Sequence, residues 1–126
     1  MEDVWGIDRL DDIMKISDWL VITAPYTLES KGMIGAKELA LMKPSAHIII
    51  ISRGGIIDED ALFHTIKNKK IAGAGIDAFE VEPLPKDSPW WDLDNVIISP
   101  HASSDSPRTY EGRREIFKEN IRRFLA

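Results

Sequence analysis

Short apolar runs alternate along this chain with longer segments in which apolar residues recur every three or four positions. The apolar runs, which we expect to form strands because of their length and β-branched content, are DWLVITAP, AHIIIIS, IAGAGIDAF and VIIS. The first predicts a strand from Trp19 to Thr23 that stops at Pro25. The unbroken β-branched run in AHIIIIS is typical of a parallel strand that is buried on both faces.

The segments between the first runs predict two helices. Asp8 is the expected N-cap of the first, because Leu10, Ile13 and Met14 then lie on one face of that helix. A short second helix is expected through AKELALM and should end before Pro44.

Two longer helices and one long loop follow. Asp58 is the expected N-cap of the third helix, with acidic residues after it and lysines toward its other end, as the helix dipole favours. The prolines of EVEPLPKDSPWWDLDN predict a loop, in which Trp90 and Trp91 are expected to cover an edge of the core. The last helix is expected from about Pro107, with an apolar face formed by Phe117, Ile121, Phe124 and Leu125.

The alternation of strands and helices predicts an α/β fold with a parallel sheet. The chain has 126 residues, which is enough for one domain with a real core. In open α/β sheets ligands bind outside the carboxyl ends of the strands, so the loops that follow the strands are where function is expected.

Composition narrows the classes of function. Hydrophobic residues make up 44% and charged residues 29%, as in ordinary globular domains. The absence of cysteine excludes disulfides and thiolate metal sites, so we expect no metal centre and a reducing, cytoplasmic setting. The net charge of −5 argues against a nucleic-acid partner. No apolar run is long enough to cross a membrane, and no leader segment is apparent.

The stretch GAGIDA, starting at Gly73, fits the G-x-G-x-x-A spacing of a dinucleotide-binding loop. A loop that holds phosphate must follow a strand and open a helix, because the helix N-terminus supplies the N–H groups. Here the glycines lie inside the apolar run, and Pro83 and Pro85 prevent a useful helix after it. We therefore expect Gly73 and Gly75 to allow close packing on a strand rather than to bind phosphate.

Polar residues come directly after three of the expected strands. Arg53 follows the second strand, Asp77 and Glu82 end or follow the third, and His101 follows the fourth. In a parallel sheet these positions lie at one edge and can converge. A carboxylate beside a histidine fixes its tautomer and favours a proton donor near neutral pH. An arginine binds a carboxylate with a planar fork, so Arg53, Glu82 and His101 together could bind and protonate a 2-keto acid.

The same residues lie within two long motifs. These are DWLVITAPYTLESKGMIGAKELALMKPSAHIIIISRGGIIDEDAL and AGAGIDAFEVEPLPKDSPWWDLDNVIISPH. Through them, nearly the whole chain resembles the second half of the nucleotide-binding domain of the D-isomer-specific 2-hydroxyacid dehydrogenases. The resemblance implies that Arg53 holds the substrate carboxylate and carbonyl oxygen, that His101 is the general acid and base, and that Glu82 is its partner.

The resemblance also implies the residues that contact the cofactor, NAD or NADP. Arg53 and His101 belong to this set, and the others are Ala24, Pro25, Ile51, Ser52, Asp77 and Ser103. Asp77 corresponds to the acid near the nicotinamide, while Ser103 or Ser104 could narrow the nicotinamide pocket. The sequence departs from the family at Ile50, where the family often has asparagine.

The resemblance implies that residues 1–126 are a partial NAD(P)-binding domain. The glycine-rich loop, the residue that selects NAD or NADP, and the substrate-binding domain are expected to lie outside this chain. The fold is then a partial Rossmann-like doubly wound sheet without its first strands, in which Trp19–Thr23 takes the fourth place of the order 3-2-1-4-5-6. That strand would be an exposed apolar edge, so we expect the chain to self-associate.

These expectations leave three functions open. The first is an oxidoreductase that transfers a hydride between NAD(P)H and a small 2-keto or 2-hydroxy acid such as glyoxylate, hydroxypyruvate or pyruvate. The second is a dinucleotide-binding interaction protein that resembles the C-terminal-binding transcriptional corepressors. Binding of a partner peptide that depends on the cofactor and occurs without turnover would indicate this second function. The third is a fragment that is inactive alone, because a dinucleotide binds poorly without phosphate-loop N–H groups.

Overall fold

Four parallel strands form one sheet whose spatial order follows the order of the chain. The structure is a computed structural model and describes residues 3–125. The strands are β1 (Trp19–Ile22), β2 (His47–Ile50), β3 (Gly73–Ile76) and β4 (Val96–Ile98), arranged β1-β2-β3-β4. The predicted α/β class with a parallel sheet is therefore confirmed.

The register aligns the carboxyl ends of all four strands. Ile22 pairs with Ile50, Ile50 with Ile76, and Ile76 with Ile98. The residues that follow these isoleucines therefore leave the sheet at one common edge. This alignment allows polar side chains from distant parts of the sequence to meet.

Within residues 3–125, one helix precedes the sheet, two connect successive strands and one follows the last strand. They are α1 (Leu10–Ile16), α2 (Ala36–Leu39), α3 (Glu59–Lys67) and α4 (Pro107–Leu125), with short 3-10 turns at Ile7–Arg9 and Pro89–Asp92. The second 3-10 turn lies within the segment that was predicted to be only a loop.

The two predicted helix caps have different outcomes. Asp58 is confirmed, because its side chain accepts a hydrogen bond from Ala61 N at 2.9 Å at the start of α3. The prediction for Asp8 is wrong. Asp8 lies inside the 3-10 turn that begins when Arg9 N donates to Gly6 O, and Arg9 occupies the N-cap of α1.

The core lies on one face of the sheet. Alternate strand residues such as Ile48, Ile50 and Ile76 are buried there against Leu62 and Ile66 of α3. Ile50 is thus a core residue. Burying these branched side chains is the main favourable term that holds the helices to the sheet.

The opposite face of the sheet is open. Trp19 is 63% exposed, Val21 50% and Ile97 78%. The expectation that β2 is buried on both faces is therefore wrong for this chain, because Ile49 is only half-buried while its neighbours Ile48 and Ile50 are buried. Side chains of a strand alternate between faces, so half of each strand meets the helices and half does not.

Helix α4 has the predicted apolar stripe but buries none of its residues. Phe124 is 89% exposed and Phe117 is 66% exposed.

The two tryptophans of the loop before β4 have different environments. Trp90 packs edge-on against Phe63 and Phe79, as expected for the edge of a core, whereas Trp91 is half-exposed. None of the helices within residues 3–125 is both long and apolar enough to span a bilayer.

Glycines set how closely the sheet and its loops approach one another. Gly73 and Gly75 lie inside β3, and a Cβ on Gly73 would lie 2.4 Å from the carbonyl oxygen of Asn95. The prediction that these glycines allow close packing on a strand is confirmed. Gly54, after β2, is pressed against the loop after β3, since a Cβ there would lie 2.1 Å from the carbonyl carbon of Phe79.

Replacing Gly54 by alanine should therefore destabilise the domain. The added methyl group must push the two loops apart, and such overpacking costs about 1–3 kcal/mol. Gly112→Ala is the matched control, because no atom of residues 3–125 lies within 4 Å of a Cβ at that position in α4. There alanine should be neutral or should favour the helix by about 0.5–1 kcal/mol. Urea unfolding measures both variants, and an unchanged midpoint for Gly54→Ala would contradict the close approach.

Candidate active site

Arg53, Glu82 and His101 meet at the carboxyl edge of the sheet, as their positions after the strands predicted. Arg53 Nη1 lies 3.3 Å from His101 Nε2, and His101 Nδ1 lies 2.8 Å from Glu82 Oε2. A guanidinium has only donors, so Nε2 accepts from Arg53 and Nδ1 carries the proton that Glu82 accepts. The imidazole of His101 thus contacts Arg53 through one nitrogen and Glu82 through the other, and these two contacts define its tautomer.

The turn after β3 places Glu82 beside Nδ1 of the imidazole. Phe79 N donates to Glu82 Oε1 at 2.9 Å, while His101 Nδ1 is within reach of both carboxylate oxygens. The hydrogen bond from His101, together with that from Phe79 N, lowers the pKa of Glu82 in spite of its partial burial. Glu82 is therefore an ionised acceptor that orients the imidazole.

Arg53 is held by its own chain. Its Nη1 donates to the carbonyl of Ser52 at 2.6 Å, which turns the guanidinium back over the end of β2. Arg53 remains exposed to solvent. Because a guanidinium has five N–H groups, donors remain for a second, anionic partner.

Asp77 is the one carboxylate in this region that is buried, with 4% exposure. Its Oδ1 accepts from Ser99 Oγ at 2.5 Å and from Ala102 N at 2.8 Å, and its Oδ2 accepts from Ser103 N at 3.0 Å. Burial alone would raise the pKa of Asp77, but the hydrogen bonds from Ser103, Ser99 and Ala102 together hold it well below its usual range. Asp77 is therefore ionised within this hydrogen-bonded pocket. Its contact with a cofactor remains a prediction.

A cleft of about 890 Å³ opens beside Arg53, between the ends of β1, β2 and β3. It contains five of the residues predicted to contact the cofactor, which are Ala24, Pro25, Ile51, Ser52 and Arg53. Asp77, His101 and Ser103 do not line this cleft; they lie around the end of β4. The predicted cofactor residues thus fall into two adjoining groups.

Seven residues that line this cleft were not predicted to contact the cofactor, and three of them, Tyr26, Lys31 and Glu80, carry polar or charged side chains that face it. The Tyr26 ring lies over Gly55, where a Cβ would be 2.9 Å from its Cε2 atom. Gly55 has a φ of 78°, a conformation that favours glycine. The position of Tyr26 directly after the strand-ending Pro25 is the signal that could have identified it.

Ser52 provides a test of whether this cleft suits a polar ligand. Its hydroxyl is buried and, within residues 3–125, has no hydrogen-bond partner. A buried polar atom without a partner is costly, and one that lines a cleft is commonly satisfied by a ligand or water. A cleft of this size, with apolar, charged and hydroxyl-bearing residues in its walls, fits part of a dinucleotide.

A second, apolar cleft of about 460 Å³ lies beside the histidine. It is lined by Leu84, Trp91, Ile98 and Pro100, and it also reaches Asp77, Glu82 and His101. The Trp91 indole N–H donates to Pro85 O at 2.8 Å, which holds the ring over the loop. Phe79 lines both clefts, so the Arg53–His101 pair lies near their common boundary.

The buried charge of Asp77 should make the fold sensitive to acid. Because folding lowers its pKa from the ordinary value of 3.8, the unfolded chain binds more protons near and below that pH. The contribution of Asp77 to the free energy of unfolding is therefore fully present above this range, and it is lost as the pH falls through it. Asp77→Asn should show a weaker acid dependence of the unfolding free energy, whereas the exposed control Asp87→Asn should behave as the unmodified chain does. Equal acid dependence in the chain and Asp77→Asn, measured by urea unfolding at several pH values, would contradict this assignment.

Among curated proteins, the chain is similar to the glyoxylate/hydroxypyruvate reductase B of Pectobacterium carotovorum. The identity is 49% over 100 residues, which covers 79% of this chain and 31% of that protein. The chain thus spans about a third of the length of this curated relative.

Two solved structures have the same fold. A D-isomer specific 2-hydroxyacid dehydrogenase from Xanthobacter autotrophicus, in complex with NADPH and MES, is 40% identical with a TM-score of 0.78, over 95% of this chain and 49% of that one. A putative D-isomer specific 2-hydroxyacid dehydrogenase from Polaromonas is 32% identical with a TM-score of 0.85, over 94% of this chain and 37% of that one. The parallel sheet and its helices are therefore a Rossmann-like arrangement.

A family model agrees with these individual similarities. The family described as "D-isomer specific 2-hydroxyacid dehydrogenase, NAD binding domain" matches residues 2–103. The match includes all four strands and the loops that carry Arg53, Glu82 and His101. The chain belongs to the NAD-binding domain family of the D-isomer specific 2-hydroxyacid dehydrogenases.

Proposed function

We propose that this chain is the second half of the NAD(P)-binding domain of an oxidoreductase that acts on small 2-keto or 2-hydroxy acids. Glyoxylate and hydroxypyruvate are the substrates we favour, because the Pectobacterium relative is named for them. The observation that carries the proposal is the line of contacts from Arg53 through His101 to Glu82. The absence of cysteine also agrees with a cytoplasmic setting.

Arg53 binds the substrate in this proposal. Its planar guanidinium suits the carboxylate and the neighbouring carbonyl oxygen of a 2-keto acid, since both oxygens can accept from one fork. The same cation lies beside His101 Nε2, so a substrate held by Arg53 brings its carbonyl oxygen close to the proton donor.

His101 exchanges the proton with the substrate oxygen. In reduction, the protonated imidazole gives the proton on Nε2 to the carbonyl oxygen, which becomes a hydroxyl group; in oxidation, neutral Nε2 takes it back. Glu82 holds Nδ1–H throughout and stabilises the imidazolium form. A bound nicotinamide dinucleotide would supply or accept the hydride, held by Ala24, Pro25, Ile51 and Ser52.

Substitution of His101 tests the proposed proton transfer. In the enzyme that carries this chain, His101→Gln should lower kcat by about 10²–10⁴-fold, because general acid–base catalysis contributes that much. The matched control is His64→Gln, which removes an exposed histidine of α3 and should leave kcat unchanged. Steady-state kinetics with glyoxylate and hydroxypyruvate measure both variants. An unchanged kcat in His101→Gln would overturn the role of the histidine.

The 126-residue chain itself is tested by titration with NADH and NADPH while turnover of 2-keto acids is followed in the same sample. We expect weak binding and no turnover, because the G-x-G-x-x-A spacing of this sequence lies inside β3 and cannot hold phosphate at a helix N-terminus. Tight binding with turnover would show that the chain assembles a complete site and would contradict the proposal that it is half of a domain.

We also propose that the isolated chain self-associates through β1. This strand is at the edge of the sheet, so one side of its backbone is unpaired within the sheet, and Trp19 and Val21 are exposed beside it. Apolar strand edges of this kind pair with other chains, and a lysine on the edge prevents pairing.

Sedimentation at micromolar concentration should therefore detect dimers or larger species of the chain. Val21→Lys should shift the population to monomer, whereas Val81→Lys, which places the same charge on an exposed loop, should not. A chain that is monomeric before any substitution would contradict the proposed association.

A further inference from the structure

The segment that carries His101 has an unusual backbone conformation. His101 has a φ of 53°, which lies in the left-handed region. Outside glycine this conformation is uncommon and costs roughly 1–2 kcal/mol, so neighbouring contacts must hold it. The conformation matters here because it directs the imidazole toward Glu82 and Arg53.

The contacts that hold this segment come from Asp77. Its carboxylate accepts from Ser99, two residues before the histidine, and from Ala102 and Ser103, directly after it. One buried anion therefore holds the chain on both sides of the left-handed residue. Ser99 N also donates to Ile76 O, which is the last hydrogen bond of the sheet before the histidine. Ser99 is therefore held through both its backbone and its side chain.

Asp77 is itself fixed to the centre of the sheet. Its N–H donates to Ile50 O at 2.9 Å, so the residue continues the pairing of β3 with β2. Each carboxylate oxygen already accepts at least one hydrogen bond from the segment 99–103, and Oδ1 accepts two. The side chain is almost completely buried, although it also borders the second cleft beside His101.

We infer that Asp77 is a positioning residue for His101: by holding Ser99, Ala102 and Ser103 it fixes the left-handed turn that aims the imidazole at Glu82 and Arg53. Its role in catalysis rests on the proposed function, but the positioning itself does not. This role is additional to the contact with the nicotinamide that the family resemblance implies for the same residue.

The orientation of the imidazole can be measured without turnover. In the 126-residue chain with ¹⁵N-labelled histidine, NMR should show one tautomer for His101, protonated on Nδ1 and hydrogen-bonded to Glu82. Asp77→Asn replaces one acceptor oxygen by an NH₂ group, which is a donor and faces the donors of the segment 99–103. The turn should then lose its conformation, and the Nδ1–H signal of His101 should disappear. Glu82→Gln, which changes the partner itself, gives the reference spectrum for an imidazole without its carboxylate.

Variants of Ser99 and Glu38 separate positioning from general loss of stability. Ser99→Ala removes one hydrogen bond to Asp77 and should weaken the Nδ1–H signal, while Ser99→Thr keeps a hydroxyl and should restore it. Glu38→Ala removes the hydrogen bond that Gly35 N donates at the start of α2, which should cost about 1 kcal/mol of stability. That variant should leave the His101 signal unchanged, because the partners of Glu38 are Gly35 and Lys37.

Kinetics in the enzyme that carries the chain provide the second readout. Asp77→Asn should lower kcat by about 10–100-fold, the cost of a small displacement of a reacting group. An unchanged His101 tautomer in this variant would overturn the inference, and a weaker affinity for NADH would then leave Asp77 as a cofactor contact alone. If no 2-keto acid is turned over by the unmodified enzyme, the proposed function fails, and the NMR result alone still supports or overturns the positioning role.

Discussion

The aligned register of four parallel strands is the constraint on which the other features depend. Because Ile22, Ile50, Ile76 and Ile98 lie in one row, the residues after them leave the sheet at a single edge. The row is fixed by burial, since a slip of one residue would turn the isoleucines away from the helices. The hydrophobic pattern of the core and the meeting of Arg53, Glu82 and His101 therefore have the same cause.

Two carboxylates at this edge have different environments and different tasks. Asp77 is enclosed by donors from one short segment and fixes the shape of the chain there. Glu82 is more exposed and shares its oxygens between its own turn and the imidazole. One anion thus contacts the chain on both sides of His101 and the other contacts its imidazole, and the lowered pKa of each keeps it ionised near neutral pH.

Much of the fold could be predicted from the sequence because local and tertiary preferences agree. Short apolar runs identify the four strands, and Asp58 identifies the start of α3, since a cap depends on a few adjacent residues. The meeting of Arg53, Glu82 and His101 was also predictable, because the topology of parallel sheets brings strand ends together.

The features that could not be predicted depend on long-range contacts. Asp8 failed as a cap because a 3-10 turn from Gly6 extends the helical segment upstream. The left-handed conformation of His101 leaves no signal in SPH, since it is held by a carboxylate far away in the sequence. The unpartnered Ser52 hydroxyl and the inclusion of Tyr26 in the cleft likewise depend on loops from different strands.

The order of the strands has a consequence for how the chain folds. Each strand pairs with the one that precedes it in the sequence, so every new pairing closes a loop of moderate length and no strand must insert between two others. Loop closure is the entropic cost that slows the formation of parallel sheets. The sheet can therefore grow by adding one strand at a time from β1 to β4, in the direction in which a ribosome delivers the chain.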